Sequence, residues 1–305
     1  MIYTLKKYQF HIYTTLVFTF LSNWLNVCFQ AIIAFFLILS LGLIHGANDI
    51  QLIQKKTEKN VNFIFLRTIL LYVLVVLAGI FLFFFLPKLG LTFFVAFSAF
   101  HFGEQHLESK IEINANYFHK FLLYFTYGIS LFGLLFTLQW DEVHGIIWQI
   151  AGFFVTKQDM EFLFLFGLIP FLILGISSRQ IRSILFAEVL MLFVIGLLFS
   201  RSSLIMSFGV YFVVWHSIPS IKDQLIFLYP NQQHSFLSYL RSSAPYWIFS
   251  LIGLLLVYFL FDITSDAFLP LFFSFLAAIT FPHTVVMGWL KLSEKHSIPE
   301  QDKQT

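Results

Sequence analysis

Residues 62–86 read NFIFLRTILLYVLVVLAGIFLFFFL, a run in which Arg67 is the only charged residue. A membrane-spanning helix needs about 20 mostly apolar residues, so this stretch predicts a helix that crosses a bilayer. The rest of the chain has the same character. Of its 305 residues, 59% are hydrophobic and 11% are charged, whereas soluble domains carry about a quarter charged residues. The sequence therefore predicts an all-α fold, a polytopic integral membrane helical bundle.

About ten segments are long and apolar enough to be transmembrane helices. Nine is also possible, because Ser22, Asn23 and Trp24 end the first segment early. With neither a soluble segment nor an internal repeat in view, we treat residues 1–305 as a single transmembrane domain. The predicted spans are 9–23, 27–50, 62–86, 91–109, 117–138, 160–177, 183–200, 203–228, 245–262 and 267–290.

Basic residues are distributed unevenly over this topology. With a cytoplasmic N-terminus and ten spans, only Lys88, Lys157 and Arg201 of the 18 basic residues fall on the far side. Because Lys and Arg concentrate in cytoplasmic loops, we expect a multi-pass protein of the cell's inner membrane with both termini cytoplasmic. Residues 143–156 are too short to span and are expected to lie at the interface or to fold back into it.

Composition excludes several other classes of protein. A net charge of +2 is too small to suggest a nucleic-acid partner. The lone cysteine, Cys28, excludes an intrachain disulfide and any multi-cysteine zinc or iron–sulfur site. Any metal in this protein must therefore be held by nitrogen and oxygen.

Four histidines lie within or at the edge of separate apolar runs: His45, His101, His216 and His283. A metal-competent side chain inside a membrane is costly and indicates a functional site. Each of the four precedes a lysine by six to ten residues on a helix predicted to run inward. At a rise of about 1.5 Å per residue, their imidazoles share one level to within roughly 6 Å. The pattern predicts a single buried site in the inner half of the bilayer.

The segment GLIHGAND, residues 42–49, surrounds the first of these histidines. Asn48 and Asp49 follow His45 by three and four residues and lie on the same helix face. That spacing suits groups that hydrogen-bond to a ligating imidazole and fix its tautomer. The alternative is that Asp49 only ends the helix at the lipid headgroups.

The segment SAFHFGEQHLE, residues 98–108, contains two histidines. Glu104 lies one turn after His101 and could hydrogen-bond to it. His106 is rotated from His101 by roughly 140°, so both can bind one metal only if the helix bends near Gly103. Otherwise His106 is an interfacial histidine.

Prolines accompany the other two histidines. Pro219 follows His216 by three residues and Pro282 directly precedes His283, so both helices should be kinked. A kink beside a buried polar residue is typical of a helix that lines a cavity. Trp215 and Tyr211, on the same span as His216, are expected to line that cavity.

Together, GLIHGAND around His45, FHFG at His101, the HS pair at His216 and FPHTVVM around His283 resemble the Brp/Blh family of membrane β-carotene oxygenases. The motifs occur in the family's order over nearly the whole chain. The resemblance implies a single catalytic domain that uses ferrous non-haem iron, Fe(2+), with β-carotene and O2 as substrates. It implies cleavage at the central 15,15' double bond, giving two molecules of retinal.

The resemblance also implies which residues bind the metal. His45, His101 and His216 correspond to ligands, and Asp49 or Glu104 would make their imidazoles more basic. Ser220 stands where the family usually has a further histidine, and His106 stands where it commonly has an acidic residue. The fourth ligand is therefore His283 as first candidate and His106 as second.

Iron held by imidazoles keeps positions open for O2, and β-carotene would reach it sideways from the bilayer through a tunnel of defined length. Trp215 and Tyr211 would line that tunnel together with some of the 43 phenylalanines, most of which are expected to face lipid or to fill helix packing. Alternative functions stay open. A carotenoid hydroxylase or desaturase would need clustered histidine boxes, and a carotenoid or haem transporter would show repeat symmetry or mid-membrane acids. A carotenoid cyclase would not need the iron ligands.

Overall fold

The protein is described by a computed structural model that covers residues 6–57, 61–111, 116–230, 235–260 and 265–296. Within these ranges the chain is helical and contains no strand, so the all-α prediction is confirmed. The helices are α1 Gln9–Ser22, α2 Val27–Leu37, α3 Asp49–Thr57, α4 Val61–Phe85, α5 Pro87–Leu107, α6 Tyr117–Leu138, α7 Trp140–Ala151, α8 Lys157–Ser177, α9 Arg179–Arg201, α10 Leu204–Val210, α11 Ile218–Leu228, α12 Ser235–Leu260 and α13 Ser265–His296.

Among the described residues, seven helices are long and apolar enough to cross a membrane. The count of about ten is not confirmed, because three predicted spans fall short of this standard. Span 9–23 forms a helix of only 14 residues, and span 27–50 is interrupted after Gly42. Span 91–109 belongs to α5, which is less apolar because it carries His101, Glu104 and His106. The chain ends predicted to be cytoplasmic lie outside the described residues. The seven helices are Leu66–Phe85, Tyr117–Leu138, Lys157–Ser177, Arg179–Arg201, Leu204–Leu228, Phe236–Phe259 and Ala267–Leu290.

The helices form two compact units. The first comprises Met1–His45 and Leu91–Asp223, and the second comprises Gly46–Gly90 and Gln224–Thr305. In the first unit α6 packs along α8, α9 packs on α1 and α8, and α10 packs on α2. In the second unit α13 packs on α4 and on α3. The assignment of residues 1–305 to a single domain stays a prediction.

Glycines allow helices of the first unit to touch through their backbones. A Cβ atom on Gly128 of α6 would lie 1.8 Å from the carbonyl oxygen of Ala99 on α5. A Cβ atom on Gly167 of α8 would lie 2.2 Å from the backbone nitrogen of Ser130 on α6. Small residues at helix crossings permit this close approach in membrane proteins. The crossings fix α5, the helix that carries His101, against its neighbours.

Two π-helical turns interrupt the first unit, at Ile38–Gly42 and at Tyr211–Ser217, and they pack against each other. The second ends at Ser217, two residues before Pro219. Because proline has no N–H group and its ring clashes with the carbonyl four residues earlier, regular helical bonding cannot continue through Trp215. The kink predicted at this proline therefore takes the form of a π-helical turn, which contains His216.

The segment predicted to be interfacial, residues 143–156, is mostly helical. It overlaps α7, whose 12 residues are too few to cross a bilayer. The helix ends at Gly152, which has a φ of 65°. Thr156 then caps α8: its side chain accepts from the N–H of Asp159, whose carboxylate accepts from the N–H of Thr156 at 2.6 Å.

A buried charged cluster joins α5 to α9 in the first unit. The carboxylate of Glu188, which is fully buried, contacts Lys110 Nζ at 2.8 and 3.0 Å and His106 Nε2 at 2.7 Å. Lys110 Nζ also lies 4.4 Å from the centre of the Tyr8 ring. The His106 imidazole stacks on Tyr127 at 4.6 Å. These contacts tie the end of α5 to α9, to α6 and to the N-terminal segment.

Burial governs ionisation at the edge of this cluster. Burial lowers the pKa of Lys110, and the neighbouring Glu188 carboxylate acts in the opposite direction. Burial, followed by the charge of Glu188, raises the pKa of Tyr8 to about 12. The Tyr8 phenol therefore stays neutral at physiological pH.

Gly128→Ala should destabilise the first unit by about 2 kcal/mol, because the added methyl group overlaps backbone atoms of Ala99 that cannot move aside easily. The unfolding midpoint in detergent measures the effect. Gly145→Ala is the control, since a Cβ there meets no atom within 4 Å. Equal midpoints for the two variants would contradict the close crossing.

Glu188→Leu should destabilise the protein by about 3 kcal/mol, because it leaves the Lys110 ammonium buried without its counter-charge. Adding Lys110→Met should recover most of that loss, since an apolar pair of similar volume tolerates burial. Chemical unfolding of the single and double variants measures both values. A double variant no more stable than Glu188→Leu would show that the pair is not the source of the effect.

Candidate functional site

His45 lies just after the first π-helical turn, where the chain leaves the regular helix. Its Nδ1–H donates a hydrogen bond to the carbonyl oxygen of Gly42. That bond places the proton on Nδ1, so the lone pair of the imidazole is on Nε2. A histidine that binds a metal usually donates its other ring N–H to such an acceptor. The side chain is buried, with a relative exposure of 5%.

His216 lies between two other imidazoles of the first unit. Its ring centre is 5.0 Å from that of His45 and 4.8 Å from that of His101, with interplanar angles of 89° and 75°. His101 and His216 are each 1% exposed. The three rings come from three separate elements, so the tertiary structure brings together histidines that are far apart in sequence.

Aromatic rings enclose this histidine group. Phe102 lies 4.5 Å from His216, and Phe212 lies 5.6 Å from His216 and 5.4 Å from His45 between ring centres. The Phe212 ring also approaches Gly42, where a Cβ atom would lie 2.9 Å from it. Phe102 and Phe212 thus present apolar surface to the imidazoles.

In the second unit, His283 forms a pair with Asp49. His283 Nδ1 lies 2.8 Å from Asp49 Oδ1, and the Tyr72 hydroxyl donates to Asp49 Oδ2 at 3.3 Å. The carboxylate therefore orients the imidazole through Nδ1, as in the histidine–carboxylate pairs of metal sites. Asp49, considered in the sequence as a partner for the other imidazoles, contacts His283, while His45 uses the Gly42 carbonyl.

Asn48 lies beside this pair on the same unit. Its side-chain oxygen accepts from Ser242 Oγ at 2.8 Å, and its amide donates to the Tyr239 carbonyl at 3.3 Å. The Tyr239 hydroxyl in turn donates to Gln224 Oε1 at 2.8 Å. Asn48 thus joins the turn that precedes α3 to α12 through hydrogen bonds.

The other predicted site residues lie in the first unit. His106 belongs to the Glu188 cluster, and its Nε2 also lies 2.9 Å from Lys110 Nζ. Glu104 is buried on α5, one turn after His101. Tyr211 packs on Phe102 at 5.7 Å.

Trp215, the remaining predicted tunnel residue, donates from its indole nitrogen to Thr15 Oγ1 at 2.8 Å. Its hydrogen bond is therefore with α1 rather than with the histidine group.

Three groups that hydrogen-bond to the predicted site residues were not predicted from the sequence. Glu188 had a signal, since it is the only carboxylate in the apolar run 183–200. Tyr72 and the Gly42 carbonyl had none, because a tyrosine in a span is common and a backbone acceptor leaves no mark in sequence. Only the fold shows that they hydrogen-bond to Asp49 and His45.

Two histidine pairs, His45–His216 and His101–His216, pass a simple geometric test for ligands of one transition-metal ion. With metal–nitrogen bonds of about 2.1 Å, two imidazoles bound to one ion at angles of 90–109° have ring centres roughly 4.6–5.3 Å apart. The observed separations of 5.0 and 4.8 Å lie within that range. Nitrogen donors of this kind suit iron, copper, zinc or nickel rather than magnesium or calcium.

A family model described as beta-carotene 15,15'-dioxygenase matches residues 36–291 of the chain. No curated protein and no solved structure matches the chain. The matched region includes His45, His101, His216 and His283. The chain belongs to the beta-carotene 15,15'-dioxygenase family.

Proposed function

We propose that this protein is a membrane non-haem iron oxygenase that cleaves β-carotene at the central 15,15' double bond with O2. The observation that carries the proposal is the group of three buried imidazoles, His45, His101 and His216, on the elements that bear the family's motifs. Membership in a β-carotene dioxygenase family supports the substrate and the reaction type.

His45, His101 and His216 would hold the ferrous iron. When bound, the iron supplies the one-electron redox chemistry that O2 needs before it reacts with a hydrocarbon. The three imidazoles that would bind the iron are ligands without a negative charge. The Gly42 carbonyl fixes the tautomer of His45, and a set of neutral imidazoles would hold the iron while leaving positions for O2.

The overall reaction suits apolar surroundings. One O2 adds one oxygen atom to each carbon of the central double bond, and two aldehydes form with neither a proton nor an external reductant consumed. No general acid or base is therefore required. Phe102 and Phe212 would exclude water and contact the polyene, whose hydrocarbon surface offers no hydrogen bonds.

For the fourth ligand we propose His283. Its support is the Asp49 contact at Nδ1, because a histidine that binds a metal through one ring nitrogen usually donates from the other to a carboxylate. His106 is the weaker candidate, since its Nε2 lies at hydrogen-bond distance from both Glu188 and Lys110.

We further propose that the chain is a multi-pass protein of the inner membrane with cytoplasmic termini, which takes its substrate from the bilayer.

Cells that accumulate β-carotene provide the test. Producing the natural chain should bleach them and yield two retinal per β-carotene. His45→Ala, His101→Ala or His216→Ala should lower the yield at least about 100-fold, because each removes a metal ligand. Chromatography of the extracted carotenoids, together with iron per purified chain, measures the outcome.

His144→Ala is the matched control, since His144 stacks on Trp140 at 4.8 Å within α7 and contacts none of the three ligands in the described structure. It should bleach the cells as the natural chain does. Iron-loaded protein that leaves the β-carotene pool unchanged would refute the proposal. Two irons per chain with hydroxylated products would favour a membrane hydroxylase instead.

A second experiment identifies the fourth ligand. His283→Ala should lose at least about tenfold in iron affinity, as removal of a ligand predicts. Adding Ser220→His, one turn after His216, should restore binding, because it places an imidazole where the family usually has one. Iron loss in His106→Ala together with full binding in His283→Ala would make His106 the ligand.

A further inference from the structure

The N-terminal helix α1 lies outside the family match, which begins at residue 36, yet it packs on the π-helical turn that carries His216. We propose that Thr15 on this helix is a positioning residue: it anchors Trp215 and thereby sets the orientation of His216. The inference rests on the proposed function, since it assigns a role to α1 in holding a metal ligand.

The anchor is a short chain of hydrogen bonds. Trp215 Nε1–H donates to Thr15 Oγ1 at 2.8 Å, and the Thr15 hydroxyl donates to the His11 carbonyl at 2.7 Å. The hydroxyl therefore acts as acceptor and donor at once, which strengthens both bonds. Thr15 is 0% exposed and Trp215 is 3% exposed, so water cannot take the place of the hydroxyl without rearrangement.

Rings of the same region hold the indole from its sides. Tyr8 stacks on Trp215 at 6.2 Å with an interplanar angle of 10°, and His11 lies 5.4 Å away. His106 of α5 lies 6.0 Å from the indole. The Trp215 side chain thus lies between α1 and α5, with its N–H directed to Thr15.

The contact of Trp215 with Thr15 restricts the orientation of His216 through the backbone that joins Trp215 to His216. Trp215 and His216 are consecutive residues of a π-helical turn, which Pro219 excludes from regular helical bonding. A widened turn has more alternative conformations than an α-helix, so side-chain anchors must select one. The Ser217 hydroxyl supplies one such contact by donating to the Phe212 carbonyl at 2.9 Å, and Trp215 supplies the contact to another helix.

A second tie fixes α1 relative to the start of α10. Gln30 on α2 donates to the carbonyls of Ser22 at 3.1 Å and Leu25 at 3.0 Å, which closes the α1–α2 hairpin. Its Oε1 accepts from the N–H of Ser203, directly before α10, at 2.7 Å. The hairpin is thus attached to both ends of the segment that leads to His216, so α1 is a fixed support.

The test uses cobalt(II) as a probe of the metal centre in the purified, metal-free chain. Thr15→Val keeps the shape of the side chain but removes the acceptor, and it should weaken cobalt binding about tenfold and alter the visible spectrum of the bound ion. Thr15→Ser retains the hydroxyl and should behave as the natural chain does. The recovery by serine separates a lost hydrogen bond from a general packing defect.

Thr19→Val is the matched control on the same helix. The Thr19 hydroxyl donates only to the Thr15 carbonyl within α1 among the hydrogen bonds seen in the described residues. This variant should bind cobalt with unchanged affinity and spectrum. Trp215→Phe should weaken binding as Thr15→Val does, and combining the two should add little, because both break the same bond.

The outcomes distinguish the two proposals. If Thr15→Val and Thr19→Val bound cobalt equally well with identical spectra, Thr15 would have no positioning role while the metal site would stand. A natural chain that bound neither cobalt nor iron would refute the oxygenase itself, and the positioning role with it. The unfolding midpoint of each metal-free variant shows that binding was measured on folded protein.

Discussion

Buried polar groups among apolar helices must find their partners inside the protein, because hydrocarbon provides neither donors nor acceptors. The described structure meets this constraint in each unit. Glu188 pairs with Lys110 and His106, and Asp49 pairs with His283 and Tyr72. These networks decide which helices approach one another and which ring nitrogens carry protons.

Irregular backbone is the second condition for the histidine group. One π-helical turn lies just before His45 and a second contains His216, and the two turns pack against each other. In the first, departure from regular helix leaves the Gly42 carbonyl to accept from His45. In the second, Pro219 prevents regular bonding. Such turns are frequent at functional sites, since they turn side chains in directions that a regular helix does not allow.

Family membership and the spacing of the histidine rings are two independent kinds of support for the proposed reaction. The chain belongs to the beta-carotene 15,15'-dioxygenase family, and the His45–His216 and His101–His216 separations suit ligands of a single metal ion. The surrounding phenylalanines suit a hydrocarbon substrate and a reaction that moves no protons. Outside the matched region, α1 adds a support that is built from this chain's own residues, Thr15 above all. Its role is local, because it acts on one turn through one indole.

The fold class and the candidate site histidines could be read from sequence, since long apolar runs form membrane helices and a polar residue within such a run is costly to bury. The number of spans could not be settled, because α1 and the segment around Gly42 are as apolar as true spans but end early or break. The hydrogen-bond partners of the buried polar residues could not be predicted from sequence either. Spacing along a helix placed Asp49 near His45, whereas packing in the second unit placed it against His283. Local periodicity follows from the order of residues alone, but a contact between distant residues depends on how the helices cross.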